Sequence, residues 1–202
     1  MLRVGLTGGL ASGKSFVAHA LSELGCDLIE ADDLGHRVMA KGAEAYDAIL
    51  AEFGRGILNE NEEIDRRKVG AKVFENPDLL AKLSAIVHPA VRVRGQALEQ
   101  GFRERDPHGI VVYEAAILVE TGSFRDYDRL IVASCTEQQQ MERAILRDHL
   151  TREEVQNRLR RQMPLQDKVK YADYVIDTSG TKEHTLEQTR TVYASLRRLQ
   201  TP

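Results

Sequence analysis

Residues 8 to 15 read Gly-Gly-Leu-Ala-Ser-Gly-Lys-Ser, and this octet restricts the fold more than any other stretch of the chain. It fits G-x-x-x-x-G-K-[ST] and stands between an apolar run, Leu2 to Thr7, and a segment from Gly13 to Leu24 that places Val17, Ala20, Leu21 and Leu24 on one helical face. Strand, glycine loop and helix, in that order, make a phosphate cradle. Phosphate needs converging donors without bulky side chains, so Gly8, Gly9 and Gly13 leave backbone N–H groups to form a concave nest backed by the positive end of the helix. Leu10, Ala11, Ser12 and Phe16 complete the expected cradle. Lys14 is expected to reach the β- and γ-phosphates of a nucleotide, and Ser15 to ligate Mg²⁺.

Strand and helix signals alternate beyond the octet, which predicts an α/β fold with a parallel sheet flanked by helices. Five strands are expected: Leu2 to Thr7, Asp27 to Ala31, Gly109 to Glu114, Asp128 to Ser134 and, more weakly patterned, Asp173 to Asp177. Residues 33 to 105 read as a helical insertion with turns at Gly54 to Gly56, Asn59 to Glu62, Asn76-Pro77 and His88-Pro89. Thr136 with Gln139, and Thr151 with Glu154, have the spacing of capping boxes. The last segment reads as an amphipathic helix burying Leu186, Val192, Tyr193, Leu196 and Leu199.

Among chains with this loop, a nucleotide switch would read γ-phosphate through D-x-x-G, which Asp32-Asp33-Leu34-Gly35 matches in letters. That stretch follows Ser15 too closely for an intervening switch segment, and no Asn-Lys-x-Asp guanine reader occurs. A small phosphotransferase remains, in which a carboxylate activates the acceptor hydroxyl and arginines neutralise the transferring group. Asp32, at the C-terminal edge of the second strand, is placed to accept a hydroxyl proton, and a helix N-cap is a compatible role. Arg143 and Arg147 form an i, i+4 pair able to close over a nucleotide, although such a stripe is also what a solvated face looks like.

Composition narrows the field by exclusion. With 42% hydrophobic residues the chain can build a core. Its longest apolar runs, near Ile110 to Tyr113 and Ala115 to Val119, are far shorter than the roughly 20 residues of a membrane span. A net charge of −3 gives no basis for bulk nucleic-acid binding, though 20 of the 28 basic residues are arginine and several cluster between Arg143 and Arg161. Cys26 and Cys135 suggest neither a disulfide framework nor a metal cluster, and with no charged-then-apolar leader a cytoplasmic protein is expected.

Taken in order, a longer set of residues resembles the dephospho-coenzyme A kinase family over nearly the whole chain. The set comprises Gly5 to Gly9 leading into Ser12 to Ser15, Glu30-Ala31-Asp32 with His36, Asp65-Arg66-Arg67 with Val73-Phe74, and His88-Pro89. It continues with Ile117 to Gly122, Arg143 with Arg147-Asp148, Thr151 to Glu154, Gln162, and Ala172 to Asp177. The resemblance implies a P-loop NTPase fold of the nucleoside-monophosphate-kinase type with one polypeptide unit. Its core is expected at about residues 1–32, 106–139 and 166–202, with a helical coenzyme A-binding region at about 33–105 and a small helical lid at about 140–165. It implies ATP and Mg²⁺ as cofactors, dephospho-coenzyme A as the small-molecule substrate, and no nucleic-acid or membrane partner; the oligomeric state is left open.

The same resemblance implies roles residue by residue. Asp32 is the catalytic base, Lys14, Arg143 and Arg147 stabilise the transferring group, and Thr7, His36, His88 and Glu120 contact the acceptor. Four positions, Glu30, Glu114, Ala116 and Thr178, depart from the family pattern. Glu30 replaces an aspartate; Glu114, Ala115 and Ala116 stand where Asp-x-Pro is common; Thr178 stands where asparagine is frequent. Glu114 retains a carboxylate at the end of the third strand, suited to holding Mg²⁺ through water.

Overall fold

Five apolar runs become five parallel strands in the computed structural model, which describes residues 1–74 and 76–200, with the Phe74 side chain outside the described part. They are β1 (Leu2–Gly8), β2 (Asp27–Glu30), β3 (Ile110–Glu114), β4 (Arg129–Ser134) and β5 (Tyr174–Asp177), in the order β2-β3-β1-β4-β5. With β3 and β4 on either side, β1 is central, and Val4 and Leu6 are fully buried. That is why it reads as a continuous apolar run rather than an alternating one. The strand order reverses around β1, so the crevice for ligands lies beyond the C-terminal ends of the strands. Gly8, Glu114, Ser134 and Asp177 all stand at such ends.

The chain divides into two compact units, residues 1–30 with 101–202, and residues 31–100. In the first, α1 (Lys14–Glu23) and α9 (Lys182–Arg198) share one core with the sheet, built on Val17, Leu21, Val112, Ile131, Ile176 and Leu196. The α9 stripe differs from the sequence reading: Leu199 is 46% exposed, whereas Thr185 and Thr189 are buried with Val192 and Leu196. Threonine serves there because its hydroxyl is satisfied within the helix, Thr189 Oγ1 donating to the Thr185 carbonyl at 2.8 Å. Helices α6 (Glu137–Asp148) and α7 (Arg152–Leu159) begin at Thr136 and Thr151, and both capping boxes form as spaced. They pack through Met141, Ala144 and Val155, against which Leu10 and Ala11 of the glycine loop also rest. Helix α8 (Leu165–Val169) follows.

The second unit is helical, with α2 (Ala31–Val38), α3 (Tyr46–Phe53), α4 (Arg66–Phe74) and most of α5 (Pro77–Arg105). Its core is separate, formed by Val38, Ala45, Ile49, Phe53, Ile57 and Val69. The expected turn at His88-Pro89 is absent: Pro89 lies inside the uninterrupted helix α5. An interior proline costs about 3 kcal/mol. Leu79, Leu83, Ile86 and Val87 before it, and Ala90 and Val91 after it, all pack on the same core. With full burial of one such side chain worth up to about 1.5–3 kcal/mol, the partial burial of several on both flanks outweighs the break.

Candidate active site

The glycine loop takes the conformation that its spacing demands. Gly13 is the N-cap of α1 with φ +84°, a left-handed backbone that favours glycine, and a Cβ added there would stand 3.1 Å from the Thr178 side chain. At Gly8 the constraint is space, since an added Cβ would lie 2.9 Å from the Ala133 carbonyl oxygen. No side chain caps α1, and its first turn carries no acid. Its leading N–H groups therefore point into the loop as donors for an anion. The Ser12 hydroxyl is buried there without a hydrogen-bond partner. Gly13→Ala is expected to raise the KM for nucleotide about tenfold or more, because a left-handed alanine costs about 1–2 kcal/mol before the contact with Thr178 is relieved. Unchanged nucleotide KM and melting temperature would contradict this geometry.

Lys14 and Ser15 converge on one carboxylate oxygen. Glu114 Oε1 accepts from Lys14 Nζ at 2.5 Å and from Ser15 Oγ at 2.8 Å. The pairing of β1 with β3 places Glu114 beside Leu6, two residues before the loop opens, so the sheet register itself fixes this contact. The Lys14 and Glu114 side chains are only 12% and 5% exposed, which makes the attraction stronger than that of a surface pair. Hydroxyl and carboxylate oxygens meeting at one point are the hard donors that Mg²⁺ takes alongside phosphate and water. The donor set thus fits the metal that the loop sequence implies.

The two candidate arginines part company. Arg143 Nη2 donates to the Thr178 carbonyl at 2.7 Å, and Thr178 Oγ1 donates to the Ser12 carbonyl at 2.6 Å, so Arg143 is joined to the loop through one residue. Arg147 instead forms a two-pronged contact with its neighbour Asp148, at 2.7 and 2.9 Å. That pairing holds the Asp148 carboxyl below its usual range and raises the Arg147 guanidinium. The i, i+4 spacing correctly puts both on α6 but does not aim them at one point.

Further contacts shape the loop, and two of the residues that make them, Gln140 and Lys168, have no role in the sequence reading. Gln140 Nε2 donates to the Leu10 carbonyl at 2.7 Å, and Leu10 N–H donates to Gln162 Oε1 at 2.9 Å, holding the loop tip from α6 and from the turn that follows α7. Lys168 is completely buried. It donates to the Gly8 carbonyl at 3.1 Å and the Ala116 carbonyl at 2.7 Å, and pairs with Glu120 Oε1 at 2.7 Å. Thr7 is also buried and donates to Ala116. The sequence signal for Lys168 is its i, i+3 spacing from the buried Leu165, which puts a lysine on the apolar face of α8.

The remaining predicted residues lie in the second unit. Asp32 is exposed within the first turn of α2, not at its N-cap, and His36 lies one turn further along the same helix. Partial burial and the nearby Arg66 push the His36 pKa down, against the opposing charges of Asp33 and Asp32. His88 is exposed on α5, three residues before Val91, whose side chain is 4.0 Å from where a Gly35 Cβ would stand.

A cleft of about 830 Å³ in the first unit is lined by Gly9, Cys135, Gln140, Gln162, Leu165, Asp177 and Ser179. That volume suits a nucleotide-sized molecule. Burial raises the Cys135 thiol pKa, leaving it a neutral wall of the cleft. A phosphate loop whose lysine and serine meet a strand-end carboxylate, on this sheet order, defines a P-loop kinase.

Comparison with known families makes the assignment specific. The Dephospho-CoA kinase family model matches residues 2–184, and the chain belongs to that family. A dephospho-CoA kinase of Aquifex aeolicus is 40% identical over 198 residues, 98% of this chain and 99% of its own length. One from Geobacillus kaustophilus is 43% identical over 187 residues, covering 93% and 92%. Among solved structures, TT1252 from Thermus thermophilus superposes with a TM-score of 0.81 at 30% identity, over 96% of this chain and 97% of that one.

Proposed function

We propose that the protein transfers the γ-phosphoryl group of ATP to the ribose 3′-hydroxyl of dephospho-CoA, giving CoA and ADP. The observation that carries this reading is the family match, which runs from β1 to the start of α9 and so spans donor and acceptor residues alike. The loop N–H groups and Lys14 bind the β- and γ-phosphates. Ser15 and Glu114 would hold Mg²⁺, which when bound neutralises phosphate charge. Asp32 accepts the proton of the 3′-hydroxyl as its oxygen bonds to γ-phosphorus; the bond from that phosphorus to the β-phosphate oxygen breaks, and ADP leaves.

Thr7, His36, His88 and Glu120 serve the acceptor side in this reading, with residues 33–105 as the acceptor region and 140–165 as a lid. Arg143 steadies the loop through Thr178 and, with Arg147, offsets charge on the transferring group. Among the described residues no helix is long and apolar enough to cross a membrane. A coupled ADP-release assay with Mg-ATP across dephospho-CoA, AMP, CMP, dTMP, adenosine and pantetheine tests the acceptor. Turnover confined to dephospho-CoA is expected; turnover of a nucleoside monophosphate would move the chain to another acceptor class.

A further inference from the structure

We infer that Lys168 is a positioning residue of the phosphoryl-transfer site, its ammonium, paired with Glu120, clamping the Gly8 carbonyl at the mouth of the glycine loop to the Ala116 carbonyl beyond β3. The inference rests on the kinase reading and adds to it a residue outside the loop motif. A primary ammonium has three N–H donors, and Lys168 meets three acceptors: Gly8 O at 3.1 Å, Ala116 O at 2.7 Å and Glu120 Oε1 at 2.7 Å. Full burial of a charge is a poor way to gain stability, because desolvation offsets much of the attraction and an apolar residue of similar size would often do as well. What the lysine provides that a leucine could not is a fixed distance between two backbone segments.

Those segments carry the reacting machinery. Gly8 opens the loop that holds Lys14 and Ser15, while Ala116 lies two residues after Glu114, on which both converge. Thr7 Oγ1 donates to the same Ala116 carbonyl at 3.2 Å. Glu120 extends the clamp, since its Oε1 also accepts from Met163 N–H at 3.1 Å, next to the Gln162 that holds Leu10. Loop mouth and loop tip are thus tied to one segment, and loosening Lys168 would let Lys14 and Glu114 drift apart. The charged groups acting on Lys168 are Glu120, from the segment after β3, and Lys14, from the start of α1. Burial and Lys14 lower its pKa, and Glu120 opposes them. Without the Glu120 charge, Lys168 would lose its proton as pH rises, exchanging charged hydrogen bonds for neutral ones about half as strong.

Two variants test the clamp. Lys168→Met, assayed well below its own melting temperature, is expected to lower kcat about 10²-fold while the KM for dephospho-CoA stays within about threefold. Wild-type kcat in the folded variant would overturn the inference. If Lys168→Met does not fold, Glu120→Gln decides, by titration with the fluorescent nucleotide mant-ATP beside the wild type at about pH 7.5 and 9.5. The ratio of variant to wild-type Kd is expected to rise about fivefold between the two pH values, as neutral hydrogen bonds replace charged ones. A ratio that stays constant would mean that Lys168 only fills space. Nucleotide binding needs no acceptor, so failure of wild type to phosphorylate dephospho-CoA would sink the functional reading and leave this result standing.

Discussion

Lys14→Ala is expected to lower kcat by about 10³-fold or more, to the limit of detection. The ammonium is the charge that the loop brings to the β- and γ-phosphates, and loss of a single preorganised donor to a developing oxyanion already costs about 10²–10³-fold. A second effect is built into the fold. Glu114, 5% exposed, would lose its cationic partner while keeping the Ser15 hydroxyl, leaving a buried carboxylate short of compensation. The variant should therefore melt at a lower temperature as well as lose activity. Steady-state assays and thermal melts together check this, and Lys14→Ala with near-normal kcat would remove the loop from the mechanism whatever its shape.

Asp32→Asn should lower kcat about 10²-fold or more, the usual scale for loss of a general base, with little change in the KM for ATP. Asparagine keeps the size of aspartate. Among its structural effects is the loss of one negative charge in the first turn of α2, worth about 0.3–1 kcal/mol against the helix dipole. Because Asp33 remains in that same turn, the fold should survive and the kinetic effect should be separable from any loss of stability. A fall in kcat smaller than about threefold would reduce Asp32 to a residue that only favours its helix.

Which parts of this molecule could be read beforehand follows from how local their causes are. The glycine loop and the two capping boxes depend on residues within a single turn or loop, so spacing alone sufficed for them. The inner strands β1, β3 and β4 were legible because burial makes each a largely apolar run, whereas β5, at a sheet edge with only Ile176 buried, is more weakly patterned. The bend expected at Pro89 failed because a local rule met a non-local force, the packing of α5 on the helical core from both sides of the proline. Leu199 leaves the expected stripe because apolar character alone does not bury a residue at the end of a helix, while Thr185 and Thr189 hide their hydroxyls in hydrogen bonds to the backbone one turn earlier.

The site shows the same division. Lys14, Ser15 and Glu114 could be named, but their meeting at one oxygen depends on the register of β1 with β3, 100 residues apart in the case of Lys14 and Glu114. Lys168 and Glu120 were beyond reach as a pair, since neither sits in a motif that demands the other. Arg143 and Arg147 illustrate the converse, a regular spacing whose members take different partners.

The most direct test of the central claim is to identify the product formed from Mg-ATP and dephospho-CoA by mass and by phosphorus NMR. Addition of one phosphate, on the ribose 3′ oxygen, with ADP formed in equal amount, is the predicted result. ADP released at the same rate without acceptor, or phosphate placed elsewhere on the molecule, would contradict it.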